Sequence, residues 1–150
     1  MTVQQFDDLT EHLLEQPFHV IDFLPRQVPA DCGGQYFAVE RFYLENPQVL
    51  KLGERFANLL IQLNCYYDMV TGDGEDWAEN LTPAEMQEKV INCEITLNAY
   101  LNILLPSQQS LITLYAGDLY MTIYNASDEL LQTVTQLAAA QGLFVREVED

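Results

Sequence analysis

The sequence predicts an α+β fold: one two-layer domain over residues 1–150, its mostly antiparallel sheet of about six or seven short strands packed by three or four helices. Three observations predict it. Residues 110–148 read as hairpin, helix and strand in immediate succession. Two helix starts are marked by a capping residue followed by proline, at Asn46-Pro47 and at Thr82-Pro83-Ala84-Glu85. A hydrophobic content of 49% in 150 residues supplies a core without disulfides or a metal, enough to bury about 68–70% of the surface that the unfolded chain exposes.

In chain order, Val3–Glu15 carries Phe6, Leu9, Leu13 and Leu14 at helical spacing, with acidic residues opposite. Pro17 ends this helix. His19–Leu24 alternates and is expected to be a strand. Pro25–Gln35 holds two prolines and a Gly33-Gly34 pair, so it is a long loop and the first place to seek function. The aromatic and valine content of Tyr36–Leu44 favours a strand. Pro47–Leu63 repeats Val49, Leu52, Phe56, Leu59, Leu60 and Leu63, the signature of one long central helix. Cys65–Val70 is expected as a strand and Thr71–Asn80 as a second polar loop. The helix from Thr82 turns Met86, Val90 and Cys93 inward.

Tyr100–Leu105, ended by Pro106-Ser107-Gln108-Gln109, is expected to pair with Ser110–Tyr115. Leu119–Tyr124 alternates with period two, and Gly117-Asp118 before it suits a II′ turn. Ser127 caps a helix over Asp128–Gln141 with Asp128 and Glu129 at its positive end. Gly142 stops it, and Leu143–Val148 returns as a strand; if it runs parallel to Leu119–Tyr124, the crossover should be right-handed.

Charge is the extreme feature: 23 acidic against 6 basic residues, a net −17. Such a surface repels phosphate backbones and anionic lipid, which argues against nucleic-acid and membrane partners and favours a basic protein partner. Cys32, Cys65 and Cys93 form an odd, widely spaced set without a C-x-x-C pair. Together with a polar N-terminus and no apolar run of about 18 residues, that points to a cytoplasmic protein. Cys65 and Cys93 lie in apolar contexts and are expected in the core.

Among candidate residues, Asp73, Glu75, Asp76 and Glu79 lack the spacing of a calcium loop and are expected to be a solvated loop. No metal or cofactor is expected. Trp77 among these carboxylates is a contact candidate. Arg26, Arg41 and Arg55 are candidates for binding a small anion or for pairing within the chain. Cys32 sits before two glycines, where a thiol with His12 or His19 as base would be needed for cysteine catalysis. The phosphate-loop, dinucleotide, serine-hydrolase and zincin motifs are absent. The favoured class is a non-enzymatic interaction module with an acidic, tyrosine-containing surface, such as an adaptor or a bacterial immunity or antitoxin protein. The alternative is a regulatory domain binding a small molecule at the 25–35 loop. A cysteine-dependent enzyme stands behind both.

Overall fold

The computed structural model describes residues 1–31 and 33–148. Its strands are β1 (Phe18–Asp22), β2 (Val70–Gly72), β3 (Trp77–Glu79), β4 (Tyr100–Leu105), β5 (Ser110–Tyr115), β6 (Tyr120–Tyr124) and β7 (Phe144–Arg146). They form one sheet in the order β3-β2-β4-β5-β6-β1-β7, with every neighbouring pair antiparallel. The helices are α1 (Val3–Leu13), α2 (Tyr36–Glu45), α3 (Pro47–Leu50), α4 (Leu52–Leu63), α5 (Pro83–Ile95) and α6 (Asp128–Ala140). None of the described helices is long and apolar enough to cross a membrane.

One face of the sheet turns Ile21, Ile103, Ile112, Leu114, Met121 and Ile123 toward α4, α5 and α6. Phe56, Leu59, Leu60 and Leu63 of α4 are fully buried there, and α4 packs against both other helices. Strand alternation sends Val70, Leu104 and Leu111 to the opposite face, where α1 covers them with Phe6 and Leu13. Among the described residues, the sheet therefore has its main helical layer on one side and α1 on the other.

The expected C-terminal unit forms. Ser127 Oγ accepts from the Leu130 amide, Leu130, Val134 and Ala138 are buried, and Gly142 takes φ +71°. Strands β6 and β7 flank β1, each antiparallel to it, so they run parallel to each other without being neighbours. The turn before β6 is of a different type from the one predicted. Asp118 N donates to the Tyr115 carbonyl (3.1 Å) and Gly117, third of the four, has φ +83°, which is the type II arrangement rather than II′. The capping box at Thr82 forms with both its hydrogen bonds, and Met86, Val90 and Cys93 are buried as expected.

Several expectations fail for identifiable reasons. Tyr36–Leu44 is helical, not a strand. Only Val39 in it is β-branched, Ala38, Glu40, Arg41 and Leu44 are good helix formers, and the Tyr36 hydroxyl donates to Glu40 one turn on (3.2 Å). Pro47–Leu63 is not one helix, because Lys51 adopts a left-handed φ of 54° that ends α3 and begins α4. These two corrections raise the number of α-helices among the described residues to six.

Cys65–Val70 is not a strand either. Cys65 and Tyr66 amides donate back to Gln62 and Leu63, closing the end of α4, and the strand starts only at Val70. Cys65 is consequently exposed rather than in the core. Thr71–Asn80 is a hairpin, β2–β3, whose tip is all that remains of the expected loop.

Arg55 fastens the break at Lys51 to the far end of the helical layer. Its Nε donates to the Leu50 carbonyl (2.9 Å) and its Nη1 to the Gln141 carbonyl (2.8 Å), so one guanidinium caps the ends of α3 and α6. A methyl group on Gly142 would collide with that Nη1. Arg55→Met keeps the stem and leaves both carbonyls without this donor. It is expected to lower stability by about 1–3 kcal/mol, read as a lower urea midpoint with an unchanged slope.

Candidate functional site

The sequence-based candidates scatter over the molecule. Arg55 is the capping residue just described. Arg41 lies exposed on α2. Cys32 lies outside the described residues. Arg26 lines a cavity of about 530 Å³ under the 25–35 loop, together with Asp22, Tyr36, Phe37 and Arg146. There Arg146 Nη2 donates to Asp22 Oδ2 at 2.7 Å and Nε to the same oxygen at 3.3 Å, a largely buried pair. The signal available for this pair was a lone charged residue inside each of two short apolar strands.

Trp77 stands apart because the fold surrounds it with acid. It opens β3 and donates its indole N–H to Asp7 Oδ1 of α1 (3.0 Å), with its ring centroid 5.4 Å from that of Phe6. Opposite it in β2 is Gly72, where a methyl group would come within 2.8 Å of the indole. Glycine at 72 thus lets the ring lie against the strand. At Gly74 (φ +95°) a methyl would come within 2.6 Å of the Tyr100 hydroxyl, so this glycine admits the second aromatic while making the hairpin turn.

Between α1 and the hairpin runs a cleft of about 430 Å³, with Asp7 and Glu11 on one wall, Glu75 and Asp76 on the other, and Trp77, Tyr100 and Asn102 between them. None of its lining residues is basic. Its polar side chains are mainly acceptors. The Asn102 Oδ1 is buried without a hydrogen-bond partner among the described residues, as is Oγ1 of Thr113, its cross-strand neighbour.

The hairpin tip is held by a separate carboxylate. Asp73 accepts from the Asp76 and Glu75 amides at 3.0 Å each and from Lys89 Nζ at 2.8 Å. The Asp76 amide, then Lys89 and the Glu75 amide, keep its carboxyl far below the ordinary range. Asp73 and Lys89 satisfy each other, which leaves Glu75 and Asp76 turned to solvent at the cleft. Sequence reasoning grouped these carboxylates by proximity in the chain. It did not find Asp7, Glu11, Tyr100 or Asn102, because their approach depends on where α1 crosses the sheet.

Among the described residues no group of three or more His, Cys, Asp and Glu side chains is arranged to hold a metal ion. Compared with protein-family models, curated proteins and solved structures, the chain matches none.

Proposed function

We propose that this protein is an interaction module that binds a basic protein partner, seating an arginine or lysine side chain in the cleft between α1 and the β2–β3 hairpin. The observation that carries this reading is the lining itself: four carboxylates and two aromatic rings with no basic residue among them. A cation entering there gains charge-assisted hydrogen bonds and the face of an aromatic ring, both stronger away from bulk water. The net charge of −17 steers such a partner inward and repels polyanions. A cytoplasmic adaptor or neutralising protein fits this description, and no catalytic step is assigned to it.

Trp77 is the only tryptophan in the chain and reports on the cleft directly. Titration with a tetra-arginine peptide at low salt is expected to change its fluorescence saturably. Affinity should fall about tenfold or more in the Asp7→Asn/Glu11→Gln variant, and as salt is raised. The Asp128→Asn/Glu129→Gln variant, which removes equal charge at the start of α6, should bind nearly as wild type. Equal losses in the two variants would mean unspecific attraction to an acidic surface.

The cavity lined by Arg26 and Arg146 favours a second reading, a small anionic ligand under the 25–35 loop. A ligand present at 100 times its Kd would stabilise the fold by about 2.7 kcal/mol, visible in a thermal-shift series of anionic metabolites.

A further inference from the structure

A third concavity lies on the other side of the sheet, where α3 and the end of α2 face the last turns of α5. Its volume is about 390 Å³, and its walls are largely apolar, with Leu44, Pro47, Leu50, Ile91, Ile95 and Leu119 contributing. One acid is set into this wall. Glu94 has its Oε1 buried without a hydrogen-bond partner among the described residues. The other charged lining residues are Glu54 and Lys51, and no ion pair joins Lys51 to Glu94. Asp118, on the turn before β6, acts on Glu94 as a like charge, and Glu40 of α2 acts likewise on Asp118.

A carboxylate with one oxygen buried and unpartnered is costly, and a bound cation removes that cost. Apolar walls reject a strongly hydrated ion and favour a hydrocarbon stem, whereas the surrounding acids exclude an anion. A neutral apolar molecule would fill the space and leave the carboxyl unsatisfied. We propose that this cavity binds an alkylammonium group, with its aliphatic stem against Leu44, Leu50, Ile91 and Ile95 and its ammonium at Glu94. Burial first, and then Asp118, push the Glu94 carboxyl up to about 7, so a cation should draw it into the charged form and release a proton. This site is independent of the cleft beside Trp77 and goes beyond the reading given for it.

The test is calorimetric titration of the full chain with pentylamine, N-acetyl-lysine methylamide and 1-pentanol. Pentylamine should bind saturably, more tightly at pH 8 than at pH 5.5, with heats near pH 7 that depend on the buffer's ionisation enthalpy. Glu94→Gln should weaken it about tenfold or more while melting cooperatively, and Ile95→Ala should weaken it less. Binding of both amines points to a lysine side chain as the source, and binding of pentylamine alone to a free amine. Asp7→Asn/Glu11→Gln should leave the affinity unchanged, whatever it does to peptide binding at the cleft. Four results would overturn the proposal: pentanol binding as tightly as pentylamine, Glu94→Gln binding as wild type, loss of binding in the cleft variant, or no saturable binding of either amine at millimolar concentration.

Discussion

Phe56→Ala is expected to destabilise the domain by about 3–5 kcal/mol, the range for emptying a fully buried aromatic site. Phe56 is fully buried on α4, in the main cluster that joins the helical layer to the sheet. Removing the ring forfeits its transfer energy and leaves a hole in the main cluster that close-packed neighbours fill only in part. Domains of this size have a total stability of about 5–15 kcal/mol, so the variant should sit near the edge of folding. Guanidinium denaturation followed by circular dichroism would measure it. A loss below about 1 kcal/mol would place Phe56 outside a rigid core.

The second large effect depends on pH. Because the Glu94 carboxyl lies at about 7 in the folded protein against an ordinary value of 4.5, the folded state holds that proton more tightly than the unfolded chain. Below about pH 4.5 the carboxyl is protonated in both states, so ionisation takes nothing from the folded state there. The charge penalty grows as pH rises toward 7 and is complete above that. Glutamine at this position never ionises, so Glu94→Gln should gain on the wild type by about 3 kcal/mol between pH 4.5 and pH 8. The comparison cancels any fixed cost of the amide, because that cost is the same at both pH values. Parallel urea melts at several pH values would measure the difference. Curves that stay parallel across this range would mean that Glu94 is solvated and ionises normally.

The cleft and the core differ in how far they could be read from residues alone. Where local chemistry and packing agree, reading succeeded: the alternation of Ser110–Tyr115 and Leu119–Tyr124, the cap at Ser127 and the capping box at Thr82 all act within a few residues. Where a distant contact decides, reading failed. Nothing local requires Lys51 to turn left-handed. That conformation is held by Arg55, whose other hydrogen bond is made to Gln141, 86 residues further along the chain. The aromatic residues of Tyr36–Leu44 suggest a pleated surface, yet α2 finds no place in the sheet and buries none of its side chains fully.

The same distinction holds for the sites. Trp77 was legible as an aromatic among carboxylates, and the 25–35 loop as a long connection near a cavity. Asp7 and Glu11 were legible only as the solvent face of α1. Their meeting with Trp77 follows from Phe6 and Leu13, which seat that helix on Val70, Leu104 and Leu111. Glu94 reads as one more polar residue near the end of α5. It lies against α4, where a methyl on Gly53 would be 3.5 Å from the Glu94 Cγ. The two concavities thus lie on opposite sides of the sheet, one lined by aromatic rings and carboxylates, the other mostly by aliphatic side chains.

The most direct measurement is a two-dimensional ¹H–¹⁵N spectrum of the labelled protein titrated with the tetra-arginine peptide. The Trp77 indole N–H should shift saturably, along with the amides of Asp7, Glu11, Glu75 and Tyr100, while those of α6 stay in place. Shifts spread evenly over the acidic surface, with the indole resonance unmoved, would contradict a cation-binding cleft between α1 and the hairpin.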